Sequence, residues 1–287
     1  QRGRFSHRVP EDPGIKNIIK ENRPIKRKAL LFDIAGTLLS EVTGEVPVSA
    51  KRALERALER GHLTFVNTGR TWCVLPAEFK RMPFSGYICG CGTYIQFGDE
   101  VLLKRSIPQK RGEEIVRLLR ENWADMVLEG TEDCFLPECH SRFDALEGTR
   151  RYFRNMGLGL ERYAEQSGLE FDKFVFYTDA LSNLDAITAG LSADMDVMDR
   201  RNGLFEAAPK GYSKATGIEA VLQRFGLEKQ DAYVFGDSSN DLSMFEAVPH
   251  AVAMGSHDPV LDPYTEFVTR TVEADGLEYA MKHYGLI

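Results

Sequence analysis

The stretch LLFDIAGTLL, residues 30–39, decides the fold. It is an apolar run that stops at an acid, Asp33, with a glycine three residues later. This pattern predicts a buried strand that leads into a tight turn, with the carboxylate at the carboxyl end of the strand, where parallel sheets gather their ligand sites. An isolated acid in this position can also simply cap a turn or a helix. The rest of the chain therefore has to decide what Asp33 does.

Strand and helix patterns alternate from residue 29 onward. The amphipathic helix pattern SAKRALERALERG (49–61) separates two apolar strand patterns, KALLFD (28–33) and HLTFVN (62–67). The same alternation returns after about residue 190. Strands that alternate with helices predict parallel β-α-β units. The predicted fold class is therefore α/β, with a Rossmann-like parallel-sheet core domain made of residues 29–104 and 191–287.

The stretch between residues 105 and 190 has a different pattern. Two amphipathic helix patterns, RGEEIVRLLRENW (111–123) and SRFDALEGTRRYFRNMG (141–157), precede the short strand pattern FDKFVFYTD (171–179). This change in the order of helix and strand patterns, in the middle of an α/β chain, predicts an inserted second domain of α+β type over residues 105–190.

Composition and charge exclude several classes of protein. The chain has 287 residues, of which 43% are hydrophobic and 28% charged, and no apolar run approaches the ~20 residues that cross a bilayer. Residues 1–28 hold nine Lys or Arg against three acids and form a basic N-terminal arm, whereas the whole chain carries a net charge of −7. An acidic main body disfavours nucleic acid as a partner. We therefore expect a cytoplasmic protein with no membrane span, and leave its oligomeric state open.

Two further strand ends carry groups suited to phosphate chemistry. Thr68, Gly69 and Arg70 follow the strand pattern TFVN and offer a hydroxyl, an unobstructed backbone N–H and a guanidinium. Asp237 follows the strand pattern AYVFG, and Asp241 comes four residues later. Two carboxylates suit Mg²⁺, which prefers oxygen ligands. Taken alone, either motif could be only a turn or a helix cap.

Lys214, in GYSKATG (211–217), is placed at the start of a predicted helix just after Ser213. A lysine there opposes the helix dipole. A cation set against its local electrostatics suggests a nearby anion, although many lysines in first turns are simply solvated.

Together the motifs resemble the haloacid dehalogenase superfamily of phosphotransferases, and most closely its Cof-like phosphatases with a type IIB cap. The four motifs of that family come in the same order here, as DIAGT (33–37), NTGR (67–70), GYSKATG (211–217) and GDSSND (236–241). The long interval between the second and third motifs matches the position of a IIB cap. The resemblance covers nearly all of residues 28–287 and implies a cap that selects the substrate.

The resemblance implies a Mg²⁺-dependent phosphomonoester hydrolase that acts on a small phosphorylated metabolite of the sugar phosphate class. Asp33 would attack phosphorus and form an aspartyl-phosphate, which divides one hard displacement into two easier ones. The implied catalytic positions are Asp33, Ala35, Thr68 and Lys214; those that bind substrate are Gly69, Arg70 and Asn240; those that bind Mg²⁺ are Asp33, Ala35 through its carbonyl, Asp237 and Asp241.

Ala35 departs from the family pattern. The family has D-x-D-G-T, and its second aspartate protonates the leaving group and later activates water, which a methyl group cannot do. General acid–base catalysis is typically worth 10² to 10⁴-fold, so we expect reduced turnover, whereas a backbone carbonyl can still bind metal. Three explanations stay open: an engineered substitution, a naturally weak or silent phosphatase, or a changed chemistry.

Two alternative functions follow from that departure. One is a catalytically silent protein that binds phosphorylated metabolites. The other is a C–P hydrolase similar to phosphonoacetaldehyde hydrolase, which carries D-x-A-G-T and forms a Schiff base with a cap lysine, for which Lys104 and Lys173 are candidates. The cap of that enzyme lies between its first two motifs, where this chain has only about thirty residues.

Overall fold

The structure is a computed structural model that describes residues 26–287, so that all but the end of the predicted basic arm, residues 1–28, lies outside the described residues. The strands of this part are, in chain order, β1 Ala29–Phe32, β2 Leu63–Asn67, β3 Gly86–Cys89, β4 Tyr94–Phe97, β5 Glu100–Lys104, β6 Asp125–Glu129, β7 Cys134–Phe135, β8 Lys173–Tyr177, β9 Met195–Asp199, β10 Leu204–Pro209, β11 Ala232–Gly236, β12 His250–Ala253 and β13 Phe267–Val268. The α-helices are α1 Val48–Glu59, α2 Ala77–Arg81, α3 Gln109–Glu121, α4 Asp144–Asn155, α5 Leu184–Leu191, α6 Lys214–Phe225, α7 Leu242–Ala247 and α8 Gly276–His283.

Eight strands form a sheet that we call the core sheet, in the order β13-β12-β11-β1-β2-β3-β4-β5. The strands from β13 to β3 run parallel, and β3, β4 and β5 continue the sheet as antiparallel hairpins. The first strand, β1, lies between β11 and β2, as a strand buried on both sides should. The predicted α/β class with a parallel sheet is confirmed.

Helices cover both faces of the core sheet. On one face, α1 and α8 pack on a cluster that contains Leu30 and Phe32 of β1. On the other face, α6 and α7 pack on a cluster that contains Leu31 of the same strand. Alternate residues of β1 thus enter two different apolar cores, which explains why residues 29–32 read as an uninterrupted apolar run.

Five strands form a second, antiparallel sheet, which we call the roof sheet, in the order β7-β6-β8-β10-β9. Its helices α3 and α5 pack on one face, in a core that includes Phe174 and Phe176. The predicted end of the inserted domain, residue 190, is too early, because β9 and β10 come after it and pair with each other and with β8. The roof sheet therefore extends to Pro209.

No helix within residues 26–287 combines the length and the apolar character that a bilayer crossing requires.

Asp231, next to the start of β11, anchors the chain that enters β1. Its buried carboxylate lies 2.7 Å from the Lys26 ammonium and 2.8 Å from that of Lys28. Burial alone would raise the pKa of Asp231, but the hydrogen bonds from these lysines lower it to about 2. A carboxyl pKa that is lower in the folded state stabilises the fold above the unfolded value, and this contribution is lost as the pH falls through the folded pKa.

We expect Asp231→Asn to lower the free energy of unfolding by about 2 kcal/mol near pH 7. The difference from the parent should shrink as the pH falls from about 4 towards about 2, because the parent carboxylate is then protonated as well. Thermal melting curves of both chains at several pH values measure this. A difference that stays constant below pH 4 would contradict the ion-pair explanation.

Candidate active site

Three neighbouring strands of the core sheet end in polar residues. Asp33 follows β1, Thr68 follows β2 and Asp237 follows β11, and β11, β1 and β2 are adjacent in the sheet. Because parallel strands present their carboxyl ends at one edge, the three residues meet there, although they are far apart in the sequence.

The turn after β1 packs closely against the Asp237 carboxylate. Gly36 has φ +72°, and a Cβ atom at this position would lie only 2.3 Å from Oδ2 of Asp237. A side chain at position 36 would therefore displace the Asp237 carboxylate. The glycine permits both the left-handed backbone and the close approach. Thr37 then donates a hydrogen bond to Oδ1 of Asp237, at 3.1 Å.

Three carboxylates lie together at this edge, and one ammonium group contacts two of them. Oxygen atoms of Asp33, Asp237 and Asp241 lie within 4.8 Å of one another. The Nζ of Lys214 is 2.6 Å from Oδ1 of Asp33 and 2.6 Å from Oδ1 of Asp241. The N–H groups of Asp237 and Ser238 donate to the other oxygen of Asp241, at 2.9 and 3.1 Å. The anion that the position of Lys214 suggested is thus a pair of aspartates.

Burial and mutual repulsion perturb these acids. Burial raises the pKa of Asp33 to about 6, with Lys214 opposing the shift. Burial, and then the charges of Asp241 and Asp33, raise the pKa of Asp237 to about 7. Burial alone would lower the pKa of Lys214, but the two aspartates beside it raise it. Lys214 is therefore a permanent cation at neutral pH, and Asp33 is mostly a carboxylate.

The donor set suits a divalent cation. With all groups ionised, three carboxylates face one ammonium, so two negative charges lack compensation. Oδ2 of Asp33 and Oδ2 of Asp237 accept no hydrogen bond from any residue within 26–287, and neither does the carbonyl oxygen of Ala35. Carboxylate and carbonyl oxygens are the ligands that Mg²⁺ prefers. Since both oxygens of Asp241 already accept hydrogen bonds, this residue suits contact through water better than direct coordination.

Further polar groups line the same cavity as Asp33. The Thr68 hydroxyl accepts the N–H of Arg70 at 3.2 Å and keeps its own proton to donate, while the N–H of Gly69 has no acceptor in the described part of the chain. Asn240 accepts a hydrogen bond from Lys214 at 3.4 Å. The guanidinium of Arg70 instead donates to the hydroxyl of Tyr152, at 3.2 Å, and so reaches the helix α4 beside the roof sheet.

A pocket of about 350 Å³ lies between the core sheet and the roof sheet. Its floor contains Asp33, Ala35 and Thr68, and its roof contains charged residues of three roof strands. The structure therefore brings the predicted site residues to one place. It also adds residues that the motifs did not identify, which are Glu129, Lys173, Arg200 and Glu206.

A signal for the roof residues was present in the sequence. Lys173 is a single lysine in the aromatic strand FDKFVFYTD, and it alternates with Phe174 and Phe176, which enter the core of the roof sheet. A charge in a period-two strand pattern marks the opposite face of the sheet. Antiparallel pairing places Glu129 of β6 directly beside Lys173, a contact that the sequence alone does not reveal.

Comparison with known proteins agrees with this geometry. The model of a family described as haloacid dehalogenase-like hydrolase matches residues 30–281. A Bacillus subtilis protein named "Putative phosphatase YkrA" is 27% identical over 262 residues, which are 91% of this chain and 98% of that protein. A second Bacillus subtilis protein, 5-amino-6-(5-phospho-D-ribitylamino)uracil phosphatase YwtE, is 25% identical and covers 88% of this chain and 96% of its own length.

The fold has solved counterparts too. The structure of the haloacid dehalogenase subclass IIB sugar phosphatase BT4131 superposes with a TM-score of 0.74 and 25% identity, over 91% of this chain and all of that one. The similarity thus extends over nearly the whole length of this chain and of these proteins. The chain belongs to the haloacid dehalogenase-like hydrolase family, and its predicted place among the Cof-like phosphatases with a type IIB cap is confirmed.

Proposed function

We propose that the chain hydrolyses phosphomonoesters of small metabolites, of the sugar phosphate class, by way of an aspartyl-phosphate on Asp33. One observation carries this proposal. Asp33 is a buried carboxylate with one oxygen held by Lys214 and the other free of hydrogen bonds from residues 26–287, and it lines an open pocket. A nucleophile held in this way is oriented, and its free oxygen faces a pocket that a substrate can enter.

In the first step, the free oxygen of Asp33 attacks phosphorus as the bond from phosphorus to the ester oxygen breaks. Negative charge spreads over the transferring phosphoryl group. The Thr68 hydroxyl, the Gly69 N–H and the Lys214 ammonium are the groups placed to stabilise that charge. Lys214 acts by its charge and not as an acid, because its pKa is raised.

A bound Mg²⁺ would neutralise phosphate charge at this site, held by Asp33, the carbonyl of Ala35 and Asp237, with Asp241 in contact directly or through water. Asn240 orients Lys214 or contacts the substrate. Arg70, through Tyr152, connects the phosphate-binding turn to the roof.

We propose that residues 105–209, which hold the roof sheet, act as the cap that selects the substrate. Two contacts place its residues over the floor of the pocket: Lys173 donates to the Gly69 carbonyl at 3.1 Å, and Tyr152 meets Arg70. The pocket volume is at the small end of the range for ligand sites, which favours a small metabolite. The named substrates of the relatives, a sugar phosphate and a phosphorylated ribityl compound, are of that kind.

The geometry disfavours the C–P hydrolase alternative. Schiff-base chemistry needs a neutral amine. Burial alone would lower the pKa of Lys173, but Glu129 and Glu206 raise it, so this amine stays protonated. Lys104 is paired with Glu170 at 2.9 Å, and its pKa is raised as well.

Phosphate release from a panel of phosphorylated metabolites, with Mg²⁺ and with a chelator in its place, tests the proposal. We expect slow release that needs Mg²⁺ and is absent from Asp33→Asn. Calorimetry on the same panel detects binding independently of turnover. Binding without release, in the parent and also after an aspartate is placed at position 35, would favour the silent binding protein instead.

The metal site makes a separate prediction. Asp237→Asn removes one of three mutually repelling carboxylates, so without metal we expect the variant to melt at a higher temperature than the parent. With millimolar Mg²⁺ the order should reverse or the gap should close, because the variant lacks a ligand and gains less stability from the cation. Exposed Asp185→Asn, on α5, is the matched control. An equal Mg²⁺-induced shift in parent and variant would rule out Asp237 as a ligand.

A further inference from the structure

The roof of the pocket carries a row of charges on one face of the roof sheet. Glu129 of β6, Lys173 of β8 and Glu206 of β10 all line the pocket that contains Asp33. Arg200 joins them from the end of β9. The other face of these strands is apolar, so the charged face points towards the reaction site and not into the core of the roof sheet.

Most of these charged side chains form ion pairs with one another. The two oxygens of Glu206 are taken, one by the Lys173 ammonium and one by the Arg200 guanidinium, whose Nε donates at 2.8 Å. Burial alone would raise the pKa of Glu206, but these two cations lower it to about 2. Lys173 also donates to the carbonyl of Gly69. These three side chains therefore form a fixed ionic frame.

Glu129 is the exception. Only 8% of it is exposed, yet its carboxylate accepts no hydrogen bond from any of residues 26–287. Its nearest cation, Nζ of Lys173, is 3.9 Å from Oε2, beyond hydrogen-bond distance. Its oxygens reach the solvent of the pocket, so a ligand that covered them without supplying a donor would leave a buried carboxylate unpaired, which is unfavourable. Burial accordingly raises the pKa of Glu129.

The charges around Glu129 determine which kind of ligand group could donate a hydrogen bond to its carboxylate. A phosphate group or another anion is repelled by Glu129 itself. A cationic group is disfavoured because the Lys173 ammonium already lies 3.9 Å from this carboxylate and the Arg70 guanidinium lines the same pocket. A neutral hydroxyl donates a hydrogen bond to a carboxylate and adds no charge, and it can also pair, more weakly, with the protonated form. A hydroxyl group is therefore the complement of Glu129.

We propose that Glu129 is a specificity-determining residue that accepts hydrogen bonds from hydroxyl groups of the substrate, so that the site selects polyol or sugar phosphates over alkyl phosphates of the same length. This inference rests on the proposed function in that the ligand is a phosphate ester. A site with a buried acceptor rejects a ligand without the donor, because the acceptor is then left unpaired.

The test compares two esters, hexitol 6-phosphate and n-hexyl phosphate, which share a chain length and a basic alkoxide leaving group. Calorimetry in Mg²⁺ on the parent chain should give a dissociation constant about 10 to 10² times lower for the hexitol ester. In Glu129→Ala that ratio should fall to near one, mainly by loss of affinity for the hexitol ester. Glu129→Gln, whose amide oxygen still accepts a hydrogen bond, should fall between the two.

Exposed Glu161→Ala, a carboxylate from the same part of the chain, is the control that should keep the parent ratio. A ratio unchanged in Glu129→Ala, or no binding of either ester to the parent, would overturn the inference. Phosphate release from both esters, measured in parallel with an aspartate at position 35, reports separately on the proposed function. Release with no change of selectivity in Glu129→Ala removes the role of Glu129 and leaves the phosphatase intact.

Discussion

Ala35→Asp should raise the turnover of a sugar phosphate by roughly 10² to 10⁴-fold. The alkoxide that leaves such an ester is strongly basic and must be protonated as it departs, and the parent has only a methyl group at this position. Ala35 is partly exposed and lines the same pocket as Asp33, so a carboxylate placed there would face the reacting groups. Steady-state phosphate release measures the change.

The matched control is Ala35→Asn, which has the same shape as the aspartate but cannot transfer the proton. It should stay at the parent rate. A gain of equal size in both variants would mean that volume or hydrogen bonding matters at position 35, and not proton transfer. If Ala35→Asp leaves the rate unchanged, Ala35 belongs to a different chemistry.

The kinetics of the parent chain should show which of the two reaction steps is slow. With p-nitrophenyl phosphate the leaving group is a stable anion that needs little acid assistance, so phosphorylation of Asp33 should proceed. Hydrolysis of the aspartyl-phosphate then lacks its base. Stopped-flow mixing should therefore give a burst of nitrophenolate that approaches one per site, followed by a slow phase, and the burst should shrink in Ala35→Asp.

Asp33→Asn should abolish turnover, by at least about 10³-fold, in the parent and in the Ala35→Asp background alike. The amide is a poor nucleophile and a weaker Mg²⁺ ligand, so both the burst and the retention of labelled phosphate should disappear. The fold should survive, because the amide has the shape of the carboxylate and Lys214 keeps its contact with Asp241. Circular dichroism and a melting curve check that point. Turnover near the parent rate would exclude Asp33 as the nucleophile.

The core sheet was predictable from the sequence because its signals are local. The central parallel strands β1 and β11 are apolar runs buried along their whole length, and the site acids Asp33 and Asp237 follow these runs directly. Lys214 was a candidate for another local reason, since a lysine in the first turn of a helix opposes the dipole and suggests a nearby anion. The identity of that anion, Asp33 together with Asp241, needed the fold.

The roof sheet was harder because its signals are not local. The strand pattern of GLFEAAP was assigned to the core domain, since nothing within those residues says that β10 pairs with β8. That pairing places Glu206 beside Lys173, and the pairing of β6 with β8 adds Glu129. Antiparallel register between distant segments decides these contacts, and a single sequence does not specify it.

The two walls of the pocket have largely separate apolar cores, joined by a smaller cluster in which Val74 packs with Val127 of the roof sheet and Phe153 of α4, and this has a consequence for how the protein can change over generations. The floor depends on the cores on either side of β1, whereas the roof depends on the core around Phe174. Mutational effects in cores that share few neighbours are nearly additive. Substitutions on the roof, apart from those at its contacts with Gly69 and Arg70, are therefore expected to change ligand preference over generations with little effect on the stability of the floor.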